Sequence, residues 1–258
     1  MATVQQIYEQ MALLAPPELA EGWDNVGLLV DCGSPVDRVL VTLDITPEVL
    51  REAQARGCGL IVSHHPVIFA PLKRLGAQDV AFQLVRAGIS AICMHTNLDA
   101  AAGGVNEVLA GIFGLRDPVP FAGGCGRVGE IDPTSVPELA RRCQAELAAR
   151  CNPPQAGPAV QVKIADTGHP VRRLAVISGA GGSLFEEALA MGADCLLTGE
   201  ANHHHACDAV RLGLSLIAAG HYATEFPVVA AVARALRAAL PGLEVCESRE
   251  NRDPYTYL

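Results

Sequence analysis

The chain contains two stretches that align with each other, and this internal duplication restricts its fold more than any other feature of the sequence. Residues Arg38–His65 align without a gap on Arg173–Glu200. Ala81–His95 then align on Ala206–Gly220, and the loop between the two matches is shorter in the second copy. Because the two matches follow in the same order, they indicate that one structural unit occurs twice.

Each copy holds three short apolar runs that alternate with helical patterns. The runs are RVLVTLD, CGLIVSHH and ISAICMH in the first copy, and RRLAVIS, ADCLLTGE and LSLIAAGH in the second. Such alternation is typical of an α/β protein whose strands are largely buried. We therefore predict an α/β fold of two similar duplicated lobes, residues 1–122 and 123–258, with the C-terminal segment a candidate to pack back on the first lobe.

Three further segments outside the copies carry local signals. VQQIYEQMALLAPPELAE predicts a helix that ends before Pro16 and Pro17, and GWDNVGLLV predicts a turn followed by a strand. Between the halves, VPELARRCQAELAAR predicts an amphipathic helix and NPPQAGP predicts a turn.

Composition excludes several classes of protein. Half of the residues are hydrophobic and 18% are charged, which suits a compact protein with a large core. No apolar run reaches membrane-spanning length, and the start, MATVQQIYEQ, lacks the pattern of a signal peptide. The nine cysteines are scattered without a CxxC pair, which indicates reduced thiols in a cytoplasmic protein. The net charge of −9 argues against nucleic acid or an anionic membrane as a partner.

Polar residues collect where the apolar runs end. Ligands of open α/β sheets bind beyond the carboxyl ends of the strands, and two lobes that face each other would bring these ends together. The residues concerned are Asp44, His64, His65, His95, Asn97, Asp99, Glu200, His221 and Glu225.

Five of these side chains predict a metal site. The imidazoles of His64, His65 and His221 and the carboxylates of Asp99 and Glu225 offer nitrogen and oxygen without sulfur. This donor set suits divalent Zn, Mn, Fe, Co or Ni. Since five protein ligands exceed what one catalytic ion usually takes, we predict two ions per chain with Glu225 as the bridge. Such a pair activates water, which predicts a metal-dependent hydrolase.

Other polar residues carry alternative interpretations. His95 is a candidate catalytic residue, as a donor that orients Asp99 or as a proton shuttle, and we do not count it among the ligands. Glu200 is a candidate for acid–base work near the metals. We interpret most of His203–His205 as the solvated start of a helix, because consecutive histidines spread around its surface.

Two loops leave further alternatives open. The glycine-rich loop Ser178–Ser183 predicts a tight turn or a cradle for an anion, and it lacks the ending of a P-loop. Asp24 in WDNVGL either caps backbone groups or reaches the metal site, and capping is the simpler interpretation.

Several motifs together resemble one known family. They are LAEGWDNVGLLV, SHHPVIF, HTNLDAAAGGVN, GRVGEI, TGEANHHHA and AGHYATE, and they run in order along essentially the whole chain. They resemble the short form of the Nif three-like family of dinuclear metal-centre hexameric proteins, also labelled GTP cyclohydrolase 1 type 2 homologues. The resemblance is weaker at the C-terminal NRDPYTYL.

The resemblance implies two similar α/β lobes with a metal pair in the cleft between them, and a homohexameric ring. The family's ligands fall on the same five residues, His64, His65, Asp99, His221 and Glu225. Its label implies a GTP cyclohydrolase-like activity on a small-molecule or nucleotide substrate. The candidate phosphate partners are Lys73, Arg74 and Arg127.

Two functional hypotheses follow from the sequence. The first is a hydrolase that activates water at two metals, and the alternative is a non-catalytic protein for metal binding, metal delivery or scaffolding. An open coordination position and a nearby base favour the hydrolase, whereas saturated and tightly held metals favour the alternative.

Overall fold

The computed structural model describes residues 1–33, 35–152 and 160–257. The helices are α1 (Val4–Leu14), α2 (Pro47–Ala55), α3 (Val80–Ala87), α4 (Thr96–Ala100), α5 (Val105–Phe113), α6 (Val136–Ala148), α7 (Phe185–Ala190), α8 (His203–Arg211), α9 (His221–Glu225) and α10 (Val228–Ala239). In the described parts of the chain, no helix combines the length and hydropathy needed to cross a membrane.

The strands form two sheets. They are β1 (Gly27–Val30), β2 (Arg38–Thr42), β3 (Leu60–Ser63), β4 (Ser90–Cys93), β5 (Arg116–Phe121), β6 (Gly126–Thr134), β7 (Lys163–Ala165), β8 (Val171–Ile177), β9 (Cys195–Thr198), β10 (Ser215–Ala218) and β11 (Glu244–Glu247). The first sheet has the order β1-β4-β3-β2-β11 and the second has the order β5-β6-β8-β9-β10-β7. The predicted α/β class is therefore confirmed, and each of the six apolar runs coincides with one strand to within a few residues.

The chain forms two compact units, which we call the first and the second unit. The first comprises Met1–Gly104 and Val228–Asn251, and the second comprises Val105–Pro227 and Arg252–Leu258. These units and the predicted division by sequence halves differ because pairing crosses the halves. Strand β11, near the end of the chain, pairs in parallel with β2, and β5 pairs with β6.

The first unit buries its parallel strands on both faces. Leu40 and Ile61 pack in a core with α2 and α3. The neighbouring residues Val41 and Val62 point to the opposite face, where they line a small cavity with residues of α1 and α10. Side chains of successive strand residues alternate between the faces, so helices on both sides explain why these strands are continuous apolar runs.

The second unit has the same layered arrangement around its own sheet. Leu174 and Leu197 pack with α5 and α6 in one core. Ala175 and Leu196 pack with α7 and α8 in the other. Strands β8, β9 and β10 are parallel, whereas β5, β6 and β7 add antiparallel pairs at the edges.

The predicted duplication is confirmed at the level of single hydrogen bonds. In each unit three parallel strands follow in chain order across the sheet, β2-β3-β4 and β8-β9-β10. The Gly59 amide donates to the Arg38 oxygen at 3.0 Å, and the aligned Asp194 amide donates to the Arg173 oxygen at 2.8 Å. An antiparallel strand flanks the third strand in both units, β1 beside β4 and β7 beside β10.

The predicted helices outside the copies are also confirmed, and their starts are set by capping. The Thr3 hydroxyl accepts from the Gln6 amide at 3.1 Å, while the Gln6 side chain accepts from the Thr3 amide at 2.9 Å. Ser135 and Glu138 form the same reciprocal pair at the start of α6. Apart from its first residue, the turn predicted for residues 152–158 lies outside the described residues.

One buried carboxylate of α2 holds the residues that directly follow β11. The side chain of Glu52 in α2 is 8% exposed and accepts from the Ser248 hydroxyl at 2.6 Å and the Arg249 amide at 3.1 Å. Arg56, one helical turn further on, pairs with it at 2.7 Å. Burial raises the pKa of Glu52, but these hydrogen bonds outweigh that effect and bring the pKa below its ordinary value.

Replacing Glu52 by Gln should therefore destabilise the first unit in a pH-dependent way. We expect a loss of about 1–3 kcal/mol at pH 7 for a buried charged acceptor of hydrogen bonds. A lowered folded-state pKa stabilises fully above the unfolded-state value of about 4.3, and this contribution is lost as the pH falls through the folded-state pKa. The difference between Glu52→Gln and the wild type should consequently shrink towards pH 3.

Urea unfolding followed by Trp23 fluorescence measures this difference, because Trp23 is the one tryptophan of the chain and lies in the first unit. The matched control is Glu48→Gln on the same helix, since Glu48 is exposed and its pairing with Arg51 is a surface contact. Equal shifts in the two variants, or a loss that does not vary with pH, would contradict the role of Glu52.

Candidate metal centre

His64 is the first residue after β3 and its side chain is 1% exposed. Its Nδ1 lies 2.8 Å from the backbone oxygen of Met94, at the end of β4. A carbonyl oxygen can only accept, so Nδ1 carries the proton and donates. The lone pair of Nε2 is thereby the one presented to a metal.

His65 is oriented by a carboxylate at the end of the neighbouring strand. Its Nδ1 donates to Asp44 Oδ1 at 2.7 Å. The Ser63 hydroxyl donates to the His65 backbone oxygen at 2.9 Å and so holds the turn that follows β3. A carboxylate behind an imidazole fixes its tautomer and makes Nε2 a better ligand.

Asp44 is itself held by the fully buried Asn251. Asn251 Nδ2 donates to Asp44 Oδ2 at 3.1 Å, and its Oδ1 accepts from the Leu43 amide at 3.2 Å. Ser248, which donates to Glu52, also accepts from the Asn251 amide at 3.2 Å. A chain of hydrogen bonds therefore runs from the C-terminal segment to the His65 ring.

His95 has the same arrangement on a different loop. Its Nδ1 donates to Asp24 Oδ1 at 2.9 Å, and Asp24 Oδ2 accepts from the Thr96 amide at 3.0 Å and the Thr96 hydroxyl at 2.5 Å. Burial raises the pKa of Asp24, but hydrogen bonds from Thr96 and His95 outweigh it and leave the pKa below its ordinary value. Asp24 therefore stays a carboxylate at neutral pH and holds the proton on His95 Nδ1.

The three imidazoles form one group in the first unit. One ring nitrogen from each lies within 4.8 Å of one from both others, and the His64 and His65 ring centroids are 4.9 Å apart. Asp99 in α4 places Oδ1 3.7 Å from His64 Nε2. Two ligands of one tetrahedral ion, each about 2.1 Å from it, lie about 3.4 Å apart. The spacing and chemistry of these donors therefore fit a divalent ion.

The second unit carries a smaller set of donors at the equivalent strand ends. His221 and Glu225 are one turn apart in α9, and His221 Nε2 lies 3.1 Å from Glu225 Oε1. The Glu225 side chain is 6% exposed, and Gly179 leaves room for it, since a Cβ at this position would collide with the carboxylate. Glu200 is about half exposed and places Oε1 3.5 Å from His221 Nδ1.

The glycine-rich loop Ser178–Ser183 uses its amides within the protein. The Ser178 amide donates to Asn106 Oδ1 at 2.8 Å, and the Gly179 amide donates to Thr224 Oγ1 at 3.1 Å. The Gly181 amide donates to a further threonine hydroxyl, that of Thr198, at 3.1 Å. These bonds favour the interpretation as a tight turn over that as an anion cradle, because the amides that would bind an anion are engaged.

The histidine run begins α8 as the sequence predicts. His203 and His204 are exposed, and the Asn202 side chain caps the helix by accepting from the His205 amide at 2.8 Å. The three candidate phosphate partners differ in exposure. Lys73 and Arg74 are exposed, whereas Arg127 is buried and paired with Glu107.

Sequence reasoning did not assign the residues that orient the imidazoles. The sequence identifies Asp44 as a polar residue at a strand end, but Asn251 follows it by more than two hundred positions. For Asp24 the sequence offers only a role in capping backbone groups or in reaching the metal site. The sequence does contain one indication of this role. Asp44 and Asp24 lie at strand or loop ends, as the candidate histidine ligands do, and such histidines regularly donate their second ring nitrogen to a carboxylate.

The two α/β sheets and these groups of histidine and carboxylate donors define an α/β protein with side chains suited to divalent metals. Comparison with known proteins then supplies the family. The family model described as Duf34/NIF3 (NGG1p interacting factor 3) matches residues 2–254. The chain belongs to this family, and the resemblance noted in its motifs is confirmed.

Individual relatives agree along nearly the whole length. The chain is 34% identical to a protein of Lactococcus lactis over 93% of both chains, and 30% identical to one of Clostridium perfringens over 95% of both. Both relatives bear the name GTP cyclohydrolase 1 type 2 homolog. Among solved structures, a hypothetical protein of Staphylococcus aureus superposes with a TM-score of 0.87 at 27% identity and covers 99% of both chains.

The hydrogen-bond chain behind His65 leads to a prediction about Asn251. Replacing Asn251 by Ala removes the partner of Asp44, so the His65 ring loses its fixed orientation. We expect the affinity for Zn²⁺ or Mn²⁺ to fall about 10-fold to 100-fold, as measured by calorimetric titration.

The control for Asn251→Ala is Val245→Ala, which makes a cavity in the same unit beneath β11 without contacting Asp44. If both variants lose the same stability to urea and the same metal affinity, Asn251 supports only the fold, and the positioning role is wrong.

Proposed function

We propose that this protein binds two divalent metal ions per chain through His64, His65, Asp99, His221 and Glu225 and uses them to hydrolyse a small-molecule substrate. The observation that carries the proposal is the group of imidazoles in the first unit, in which His64 and His65 each have Nδ1 tied to an acceptor. Rings oriented in this way present Nε2 to a metal without further rearrangement.

Divalent ions of this kind, when bound, act as Lewis acids and make water available as a nucleophile near neutral pH. The side chains of the protein would hold and orient these ions. Asp99 supplies a carboxylate beside His64 Nε2, and Glu225 supplies one beside His221 Nε2. We propose Glu225 as the bridging ligand. Its carboxylate is nearly buried and packs against Gly179, where any side chain would collide with it.

Proton transfer is proposed for two residues next to these ligands. His95, with Nδ1 fixed by Asp24, keeps Nε2 able to accept a proton from the reacting water or to return it to the leaving group. Glu200 is the more exposed candidate, and its carboxylate lies beside His221 Nδ1.

The substrate class is proposed from the names of the relatives. Since the relatives in Lactococcus lactis and Clostridium perfringens are called GTP cyclohydrolase 1 type 2 homologs, GTP is the first substrate to test. The competing proposal is a protein that binds or delivers metal, or a scaffold, without turnover.

The deciding experiment is a screen of the metal-reconstituted protein against nucleotides including GTP, phosphoesters and cyclic amides. Turnover that disappears with a chelator and returns with Mn²⁺ or Zn²⁺ supports the hydrolase. Two tightly held ions and no turnover across the screen would favour metal binding or delivery instead.

We also propose that the chain assembles into a homohexameric ring and works in the cytoplasm, with no membrane or nucleic-acid partner. The cysteines support the location, because they are scattered along the sequence without a CxxC pair. Light scattering after size-exclusion chromatography tests the assembly, and a mass near that of one or two chains would contradict it.

Removing one proposed ligand from each unit should lower the metal content. His64→Ala and His221→Ala should each reduce it to about one ion per chain or fewer with the fold retained, because each removes a nitrogen donor. Elemental analysis and circular dichroism measure the two quantities. His204→Ala, an exposed histidine of α8, is the matched control and should keep the wild-type stoichiometry.

The variants Glu225→Gln and Asp99→Asn should differ in how strongly they lose bound metal ions. Glu225→Gln keeps the shape but removes charge between two cations, whose repulsion in a partly desolvated site is worth several kcal/mol. We expect this variant to lose at least one ion together with any hydrolytic activity. Asp99→Asn, at a terminal ligand, should weaken one ion and largely spare the other. Calorimetric titration in which Glu225→Gln binds two ions with wild-type affinity would remove Glu225 from the bridge.

A further inference from the structure

Two large aromatic side chains of the first unit lie exposed beside the imidazole group. Trp23 is 61% exposed and Phe69 is 57% exposed, and their ring centroids are 5.9 Å apart. Both rings meet His95 edge-on, with centroid distances of 6.2 Å for Trp23 and 6.4 Å for Phe69. Aromatic rings usually bury most of their area, so two exposed together next to a donor group call for a ligand.

Hydrogen bonds fix the positions of both rings relative to the imidazoles. Trp23 is followed by Asp24, whose carboxylate is held by His95 and Thr96. The next residue, Asn25, donates from Nδ2 to the Ile68 oxygen at 2.5 Å, directly before Phe69. The loop that carries Trp23 and the loop that carries Phe69 are thus tied to each other and to His95.

The geometry of the pair defines how a ligand would bind. The two rings are tilted by 51°, and a centroid separation of 5.9 Å is less than the two stacking distances of about 3.5 Å each that a ring inserted between them needs. A planar ring therefore does not insert between them; it stacks on the face of one ring and meets the other at an angle.

We propose that Trp23 and Phe69 form a stacking surface for the planar heteroaromatic ring of the substrate, next to the imidazole group. The catalytic meaning of this surface rests on the proposed function, but ring binding itself does not need the metals. Stacking of a base on an aromatic side chain strengthens binding roughly 5-fold to 150-fold.

Two cations in the loop that carries Phe69 favour one kind of ring. The segment after Phe69 carries Lys73 and Arg74, both exposed, on a chain whose net charge is −9. A ring with an anionic substituent is favoured over one with a cationic substituent, because these two cations lie on the same loop as Phe69.

Trp23 provides its own signal, since it is the one tryptophan of the chain. The full-length protein as purified is titrated with guanosine monophosphate, adenosine monophosphate and ribose 5-phosphate, with and without EDTA. Tryptophan is excited at the red edge of its absorption to avoid absorption by the nucleotides. We expect saturable quenching by both nucleotides, none by ribose 5-phosphate, and little change with EDTA.

Variants test whether the rings make the surface. Phe69→Leu keeps the apolar bulk and should weaken nucleotide binding about 5-fold or more, and Trp23→Leu, followed by calorimetry, should do the same. The matched control Leu75→Ala removes an exposed apolar side chain of the same segment and should bind as the wild type does.

The outcomes separate this proposal from the proposed function. Absence of saturable quenching, or equal effects of the nucleotides and ribose 5-phosphate, overturns the stacking surface whatever the metal content. If Phe69→Leu changes only the oligomeric mass and leaves nucleotide binding unchanged, the pair is a contact between copies and the proposal is wrong. Saturable quenching in a protein that binds no metal supports the surface and overturns only the metal-dependent function.

Discussion

The hydrogen bonds from the Nδ1 atoms of the strand-end histidines are the interactions on which the candidate site depends. An imidazole binds a metal through one nitrogen only if the other is protonated and held. Here a carbonyl holds His64, and carboxylates hold His65 and His95. The acceptors of His64 and His65 follow neighbouring strands, and that of His95 lies on a separate loop, so the packing of the first unit determines which nitrogen faces the site.

The duplication provides two equivalent sets of strand ends, but the side chains at these ends differ between the two copies. The strand-end position of His65 corresponds to Glu200, and the position of His95 corresponds to Gly220. Gly220 has φ +94°, a backbone conformation that glycine adopts without strain, so the second copy turns into its short helix differently. The backbone hydrogen bonds of the parallel strands are retained because they do not depend on the side chains at the tips.

The segment 244–251 belongs to the first unit and supports its candidate site. Its strand β11 extends the sheet beside β2, and the residues that follow carry Ser248 and Asn251 to Glu52 and Asp44. The buried Glu52 thus holds Ser248, and the same segment ends in Asn251. Asn251 in turn donates to Asp44, which orients the His65 ring. Stability of the fold and orientation of the site share these hydrogen bonds, which links a change in one to a change in the other.

The sequence by itself determined the fold class, the duplication, six buried strands and the donors that follow them. Apolar runs of strand length and residues after them are local features, and Leu60–Ser63 followed by His64 shows both in one stretch. Only the tertiary structure decided which acceptor holds each imidazole, because Asp24, Asp44 and Asn251 reach their partners across long separations in the chain. Periodicity predicts where a side chain leaves a strand, whereas its partner is set by the packing of distant segments.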